Sequence, residues 1–282
     1  MPELAEVELS RRIWDTGERD VITRVSLHPR VRIFRGIDTA ALARGLTGAS
    51  LVRSHARGKQ LAFVFELTDR AKSVAWLGIH LGMSGSLQRV TAAEFVPGKH
   101  DHLVLWQLKH ALVFRDVRQF GRVLLHVGVD TPKWWMDLAP DLTSPEFTLA
   151  ALKDFLRRRS KSPIKAVLLM QQRFPGIGNW LADEILWWTR IHPAARSGQI
   201  PPNKIKILWR EIRRICREAI RRIDEDWNYP PSWLFRHRWK PGGKCPRCRT
   251  LLRRATIGGR TTCWCPHCQP AAKSRGRRNA GL

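Results

Sequence analysis

Hydrophobic and polar positions change period twice along the 282 residues. Residues 3–14 alternate acidic and apolar positions, with Leu4, Val7, Ile13 and Trp14 at helical spacing, which predicts a short helix starting almost at the first residue. From about residue 21 to 127 the apolar residues gather into short strand-like runs: LAFVFEL (61–67), SVAWLGI (73–79), HLVLWQL (102–108), ALVFRDV (111–117) and RVLLHV (122–127). Turn signals at Arg57-Gly58, Gly82, Gly85 and Pro97-Gly98 separate them. This spacing predicts a β-sandwich or barrel-like domain with a helix packed on it. Pro132, Pro140 and Pro145 mark a linker. Beyond it, segments 148–159, 163–171, 178–190 and 203–224 place apolar residues three or four apart, which predicts helices.

The longest of these carries Ile205, Leu208, Trp209, Ile212, Ile215, Cys216, Ala219 and Ile223 on one side, with Lys and Arg on the other. A basic outer side of this kind is more often solvated than bound to DNA. Residues 225–243 are aromatic and rich in Pro and Gly, and a cysteine-dense module follows. The class is therefore α+β: an N-terminal helix plus β-sandwich domain (1–131), a helical domain (132–240), a four-cysteine module (241–270) and a basic tail (271–282).

Composition narrows the partner. Fifty Lys and Arg against 24 Asp and Glu give a net charge of +26 and a pI near 11.3. A general bias toward arginine would explain this blandly, but the first candidate is a polyanion, and nucleic acid leads. Neutralising about six phosphates would give a log K against log salt slope near −5. A membrane surface fits less well, because the basic residues are spread along the chain. No apolar run reaches the roughly 18 residues of a membrane span. The opening MPELAEVELSRR carries acids where a secretory signal needs bases, so a cytoplasmic protein is expected. The run Lys273–Arg278 reads as an arm adding nonspecific affinity.

Four features carry candidate chemistry. Cys245-x-x-Cys248 and Cys265-x-x-Cys268, sixteen residues apart, have the spacing of a structural zinc site. Cys263 could substitute for Cys265, although the x-x spacing to Cys268 favours Cys265. Four thiolates leave no open position for catalysis by the metal, and a disulfide framework does not suit a cytosolic chain. Cys216 reads as a core residue. Between the pairs, TIGGRTT (256–262) reads as a hairpin with Gly258-Gly259 at its tip, so the metal would aim Arg260 at a phosphate. In FPGIGNWLADEIL (174–186), Gly176 and Gly178 flank Ile177, and Asn179 is expected to cap the next helix. Free N–H groups there would suit a DNA phosphate. Finally, Pro2 is small enough to permit removal of Met1, which leaves a secondary amine. Such an α-amino group titrates near pH 8 and is partly unprotonated at neutral pH. Glu3 and Glu6 lie within a turn of it. Taken alone, an N-terminal Pro-Glu pair more often does no chemistry.

Together these pieces resemble the formamidopyrimidine-DNA glycosylase / endonuclease VIII family. MPELAEVE resembles the family's opening MPELPEVE, RGKQL (57–61) its RGKYL, and DVRQFGR (116–122) its DPRRFG. HLGMSGSL (80–87), FPGIGNWLADEIL and GGRTT match its further motifs, in order, across essentially the whole chain. The resemblance implies a bifunctional base-excision repair enzyme, a glycosylase and AP lyase, with a helix–two-turns–helix and a zinc finger. It implies that Pro2 is the Schiff-base nucleophile and Glu3 the acid/base at the deoxyribose. Glu6 would organise the site, Lys59 would act beside the lesion, and Arg260 would serve both the catalytic site and DNA binding. His80, Asn179 and Arg260 would grip phosphates, while Met83, Arg118 and Phe120 would fill the hole left by a flipped base. The implied cofactor is one structural zinc held by Cys245, Cys248, Cys265 and Cys268. The implied partner is double-stranded DNA with oxidised bases or abasic sites, bound by a monomer associated with the bacterial nucleoid.

Two departures stand out. Ala5 replaces the family's usual Pro, which relaxes the first turn without removing a reacting group. The stretch RRIDEDWNYPPSWLFRHRWKPGGKC has neither the Gly/Thr-rich lesion-capping loop nor the Tyr-Gly-Arg segment usual in enzymes that handle 8-oxoguanine. Formamidopyrimidines, oxidised pyrimidines or hydantoins are then candidate lesions beside 8-oxoguanine. Two other readings compete: a damaged-DNA-binding protein without catalysis, and a zinc-ribbon RNA-binding protein. Intact Pro2, Glu3 and Lys59 speak against the first, and the wedge residues against the second.

Overall fold

The computed structural model describes residues 1–29, 31–68, 73–223 and 227–271; the basic run Lys273–Arg278 lies outside the described residues. The chain divides into two compact units. The first comprises Met1–Asp141 with the returning segments Phe174–Gly178 and Ala219–Asn228; the second takes Leu142–Arg173, Asn179–Glu218 and the chain from Tyr229 onward.

In the first unit, helices α1 (Leu4–Trp14) and α2 (Thr39–Leu46) accompany two antiparallel sheets. One sheet has the order β1-β6-β7-β5, from Arg24–Leu27, Asp101–Trp106, His110–Asp116 and Gly85–Thr91. The other has the order β2-β3-β4-β8, from Ser50–Arg57, Gln60–Glu66, Val74–His80 and Arg122–Gly128. The expected sandwich is thus present. Alternate residues point inward: Leu61, Phe63 and Phe65 of β3, Leu77 and Ile79 of β4, and Leu112 and Phe114 of β7 join one buried cluster. Trp14 closes α1 onto it, its ring 4.9 Å from that of Phe63.

The other side of β3 is covered too. Ala62, Val64 and Trp76 pack against Trp135, with Trp134 and Leu138 beside them. Burial on both faces is why LAFVFEL reads as a continuous apolar run and not an alternating one. The segment read as a linker after Pro132 therefore contains a short helix, α3 (Lys133–Met136), whose tryptophans cover a sheet face.

The second unit is helical: α4 (Leu149–Arg158), α5 (Ile164–Leu168), α6 (Asn179–Thr189) and most of α7 (Pro202–Arg222), followed by the hairpin β9 (Arg253–Ile257) and β10 (Arg260–Trp264). Thr148 caps α4, its hydroxyl accepting from the Ala151 N–H at 3.2 Å. Helix α6 is buried on nearly every side, Trp180 through Trp187, which explains its weak amphipathic signal. The aromatic stretch after residue 228 is packed and not a free loop: Tyr229 stacks on Trp233 at 5.2 Å, and Phe235 meets Trp180 edge-on at 4.9 Å.

Candidate active site

The start of α1 is tied down from both ends of the motif. Glu3 is the N-cap, and its side chain and that of Glu6 form a reciprocal capping box, with the Glu3 N–H donating to Glu6 Oε2 at 3.1 Å. The Leu4 N–H donates to the Gly176 carbonyl at 3.0 Å. A Cβ on Gly176 would lie 2.9 Å from Leu4 Cβ, and its φ is +84°, so this position requires glycine.

The most informative contact is long-range. The Gly178 N–H donates to Glu3 Oε2 at 3.0 Å, and a Cβ on Gly178 would fall 2.2 Å from the Glu3 carboxyl carbon. The Gly-Ile-Gly turn suggests N–H donors for a DNA phosphate at the helix start, but the Gly178 N–H just before it is already taken. It serves a carboxylate of the chain itself. Both Glu3 and Glu6 are buried, at 4% and 5% exposure, so backbone N–H donors hold the Glu3 carboxyl in place next to Pro2 in the chain. Lys59, on the turn between β2 and β3, places its Nζ 3.4 Å from the Met1 sulfur, beside the chain terminus.

Asn179 also differs from expectation. It is the first residue of α6, and its Nδ2 donates to the Thr261 carbonyl of the hairpin at 2.8 Å instead of capping the helix. Its Oδ1 is buried with no partner among the described residues. The hairpin matches the expected TIGGRTT form, with Gly258 and Gly259 at φ +60° and +74° and Arg260 exposed. A Cβ on Gly258 would meet Ala166 Cβ at 2.6 Å, so the tip rests on α5.

A buried ion group holds the same hairpin. Asp183 accepts from Lys165 Nζ at 2.5 Å, Arg238 Nη2 at 2.5 Å and the Cys263 N–H at 2.9 Å. Lys165 also donates to the Asn179 carbonyl at 2.6 Å. Asp183 lies inside FPGIGNWLADEIL, and nothing local in the sequence marks it as the anchor of a strand eighty residues away.

The cysteine geometry fits one metal ion. The thiol sulfurs of Cys245, Cys248, Cys265 and Cys268 lie within 4.8 Å of one another, with Cys248–Cys265 at 3.5 Å and Cys245–Cys268 at 3.9 Å. Tetrahedral zinc with bonds of about 2.3 Å places sulfurs about 3.8 Å apart. Trp187 Nε1–H donates to Cys245 Sγ at 3.4 Å, the kind of outer contact that orients a ligand. Cys263 stands outside the group, where burial and neighbouring Asp183 push its thiol up to about 11. Cys265 lies inside the cluster that could hold the metal, in keeping with its x-x spacing to Cys268. Cys216 is a buried core thiol, as its position on α7 predicted.

The wedge candidates occupy two touching loops of the first unit. Met83 and Phe120 are large apolar residues left 37% and 46% exposed, and the Arg118 guanidinium lies 4.7 Å over the Phe120 ring. A Cβ on Gly82 would fall 2.5 Å from the Phe120 carbonyl carbon, so the loops meet backbone to backbone. Buried Asp116 fastens them, accepting from Ser84 Oγ at 2.6 Å, Gly121 N at 2.7 Å and Arg118 N at 3.2 Å. Asp116 sits in the DVRQFGR motif, and its role emerges from these three bonds. Asp116→Ala should loosen both loops at once. We expect a tenfold or greater loss of affinity for a lesion duplex with undamaged-duplex affinity little changed, checked by titration of the two duplexes; equal losses on both would refute the role.

His80 ends β4. Its Nδ1 accepts from the Gly82 N–H at 3.1 Å, which assigns the ring proton to Nε2 and leaves that N–H as a donor. Burial, with the charges of Lys59 and Arg35, holds the imidazole below its ordinary range. Glu184 on α6 accepts from the N–H groups of Leu234 and Phe235 and from Trp188 Nε1, yet burial pushes its carboxyl up to about 7. A raised folded value means the folded state binds the proton more tightly. This contribution is complete below about 4.5 and is lost as pH rises toward about 7. Denaturant unfolding across that window should show the decline, and Glu184→Gln should flatten it.

The comparisons with known proteins agree with the fold and the four-cysteine cluster. Three family models match: the formamidopyrimidine-DNA glycosylase N-terminal domain over 1–123, its H2TH domain over 138–227, and the zinc finger found in FPG and IleRS over 242–271. Formamidopyrimidine-DNA glycosylase of Thermomicrobium roseum is 33% identical, over 96% of this chain and 99% of that protein. The Symbiobacterium thermophilum enzyme of that name is 35% identical, over 96% and 90%. Among solved structures, the Lactococcus lactis enzyme non-covalently bound to DNA containing an AP site superposes with a TM-score of 0.81 at 29% identity, covering 95% of this chain and 100% of that one. The same enzyme with DNA containing N7-benzyl-Fapy-dG gives 0.83. The chain belongs to the formamidopyrimidine-DNA glycosylase family, DNA glycosylases of DNA repair, and carries that family's zinc finger with a four-cysteine site for one zinc.

Proposed function

We propose that this glycosylase removes oxidised or ring-opened bases from double-stranded DNA through a Schiff base on Pro2, and then cuts the strand at the abasic sugar. The observation that carries the reading is the Glu3 carboxyl, fixed by the Gly178 N–H next to the residue whose amine is exposed once Met1 is removed. The secondary amine attacks C1′ as the C1′–base bond breaks, the base leaving with the bonding electrons and a proton from water, and Glu3 takes the proton that the amine gives up. Glu3 passes it to the ring oxygen as the sugar opens to an iminium ion, which draws electrons from the C2′–H bond and acidifies the C2′ proton. Glu3 takes that proton and the 3′ phosphate leaves; a second elimination releases the 5′ phosphate.

The other residues take supporting roles. Glu6 holds the cap, and Lys59 offers its ammonium beside the sugar and its phosphate. Arg260, Asn179 and the Nε2–H of His80 grip phosphates around the extruded nucleotide. Met83 and Phe120 fill the vacated stack while Arg118 bonds the orphaned base, which offsets the few kcal/mol that extrusion costs. The domains divide the work as 1–131 for chemistry, 132–240 for holding DNA and 241–270 for aiming Arg260. Relatives solved with abasic-site and Fapy-containing DNA support this partner. The enzyme acts as a monomer on the nucleoid of a bacterial cytoplasm; among the described residues no helix is long and apolar enough to cross a membrane.

End-group analysis of a nicked lesion duplex tests the reading. Phosphates on both sides of a one-nucleoside gap are expected. An unsaturated sugar left on the 3′ side would limit the enzyme to one elimination, and an intact strand with a released base would remove the lyase step. Competition across a lesion panel then ranks 8-oxoguanine against formamidopyrimidines, oxidised pyrimidines and hydantoins.

A further inference from the structure

The second sheet of the first unit carries a hollow that this chemistry does not use. Alternate residues of a strand share a face, and β2 presents Arg53, His55 and Arg57 to a hollow of about 880 Å³ that Trp76 and Trp135 also line. The two indoles are nearly buried and carry the cations above them: Arg53 stands 5.8 Å from the Trp76 ring and Arg57 4.9 Å from that of Trp135. His55 stacks on Trp76 with centroids 6.1 Å apart and planes 17° from parallel.

The carboxylates around the hollow are already engaged. Glu8 binds Arg11 at 2.8 Å and Arg12 at 3.0 Å, and Asp15 accepts from the Ser54 hydroxyl at 2.5 Å. Asp141 has partners of its own. Arg53 and His55, by contrast, have no hydrogen-bond acceptor among the described residues, and the buried Trp76 Nε1–H has none either. Burial and the charges of Arg53, Arg11 and Arg57 hold the His55 imidazole below its ordinary range. Arg57 spends one Nη1–H on the Trp135 carbonyl at 3.3 Å, while Arg53, His55 and the Trp76 Nε1–H stay unpartnered among the described residues, so Arg11, Arg53 and Arg57 outnumber the lining carboxylates Glu8 and Asp141 and the hollow keeps N–H donors to spare for an oxyanion.

We propose that this hollow is a second anion site, distinct from the lesion chemistry, that takes phosphoryl groups. Arg53 and Arg57 stand four residues apart on an extended strand, roughly 13 Å. That span suits two phosphates of one polynucleotide strand threaded along β2, with a base against His55 and the guanidinium groups. It also admits a single nucleotide whose phosphate meets Arg53. The two sources share one chemistry and are separable by experiment.

The test uses the full zinc-loaded chain with its lesion site saturated by an unlabelled duplex carrying a tetrahydrofuran abasic analogue. A fluorescein-labelled short oligothymidylate, thymidine monophosphate and inorganic phosphate are titrated in turn. The double variant Arg53→Ala/His55→Ala should weaken oligothymidylate at least tenfold and reduce its salt slope by about one. Arg53→Lys should keep most of the binding. Lesion incision should be unchanged in both variants, so the outcome here is independent of the glycosylase reading. Competition by thymidine monophosphate at similar occupancy assigns a nucleotide site, and failure of the monomer to compete assigns a strand. Binding of all three probes that is absent, or that is the same in the double variant, overturns the proposal.

Discussion

Glu3→Gln is expected to lower turnover on a lesion duplex by at least about 100-fold while leaving duplex affinity within a few-fold of the parent chain, since loss of a positioned acid/base typically costs 10²–10⁴. The substitution is a narrow one. A glutamine oxygen can still accept from Gly178, and the side chain keeps its length, so α1 stays seated. What disappears is the group proposed to take the C2′ proton. Single-turnover kinetics, with binding measured in parallel, separate this from a folding defect. Equal losses in binding and rate would place Glu3 among structural caps and remove it from the chemistry.

The second large effect concerns zinc. Structural zinc in small finger modules contributes apparent binding free energies of about 10–16 kcal/mol at neutral pH, and that energy is folding energy. Stripping the metal should therefore melt the turns that support β9 and β10. The hairpin would keep its anchor at Asp183 but lose the base that fixes Arg260. We expect DNA affinity to fall at least tenfold, with a salt slope shallower by about one for the lost phosphate contact. The β-rich first unit should keep its far-ultraviolet signature. The cysteines give a sharper control. Cys265→Ser should abolish stoichiometric zinc, whereas Cys263→Ala should retain one zinc per chain by atomic absorption, because Cys263 lies outside the sulfur cluster. Retention of zinc by Cys265→Ser with its loss from Cys263→Ala would invert the assignment.

The sequence showed strands that are unbroken apolar runs and missed those that mix polar residues among the apolar ones. β3, β4, β6, β7 and β8 stand out as apolar runs. β2, by contrast, reads SLVRSHAR with Arg53, Ser54, His55 and Arg57 at partly or fully exposed positions, and β5 reads GSLQRVT with few buried residues. The short α2 was also not visible as a helix in advance, although Asp38 caps it by accepting from the N–H groups of Ala40 and Ala41. The residues proposed to react were legible as motifs. Their mutual contacts were not, because spacing predicts that a turn offers N–H donors and cannot say what fills them. Glu3 and Gly178 are 175 residues apart, and only the fold brings a carboxylate to that turn. Asn179 likewise reads as a cap from its neighbours, and the hairpin carbonyl of Thr261 claims its amide instead. Asp116 and Asp183 escaped notice for the same reason, since each acts by gathering donors from separate segments.

The most direct measurement is peptide mapping of the covalent adduct. The mature enzyme is incubated with an abasic duplex, reduced with borohydride, digested with trypsin and read by mass spectrometry. The account predicts a sugar bonded to the Pro2–Arg11 peptide, and no adduct from a chain that retains Met1. An adduct on the peptide bearing Lys59, or trapping at full yield with Met1 in place, would contradict it.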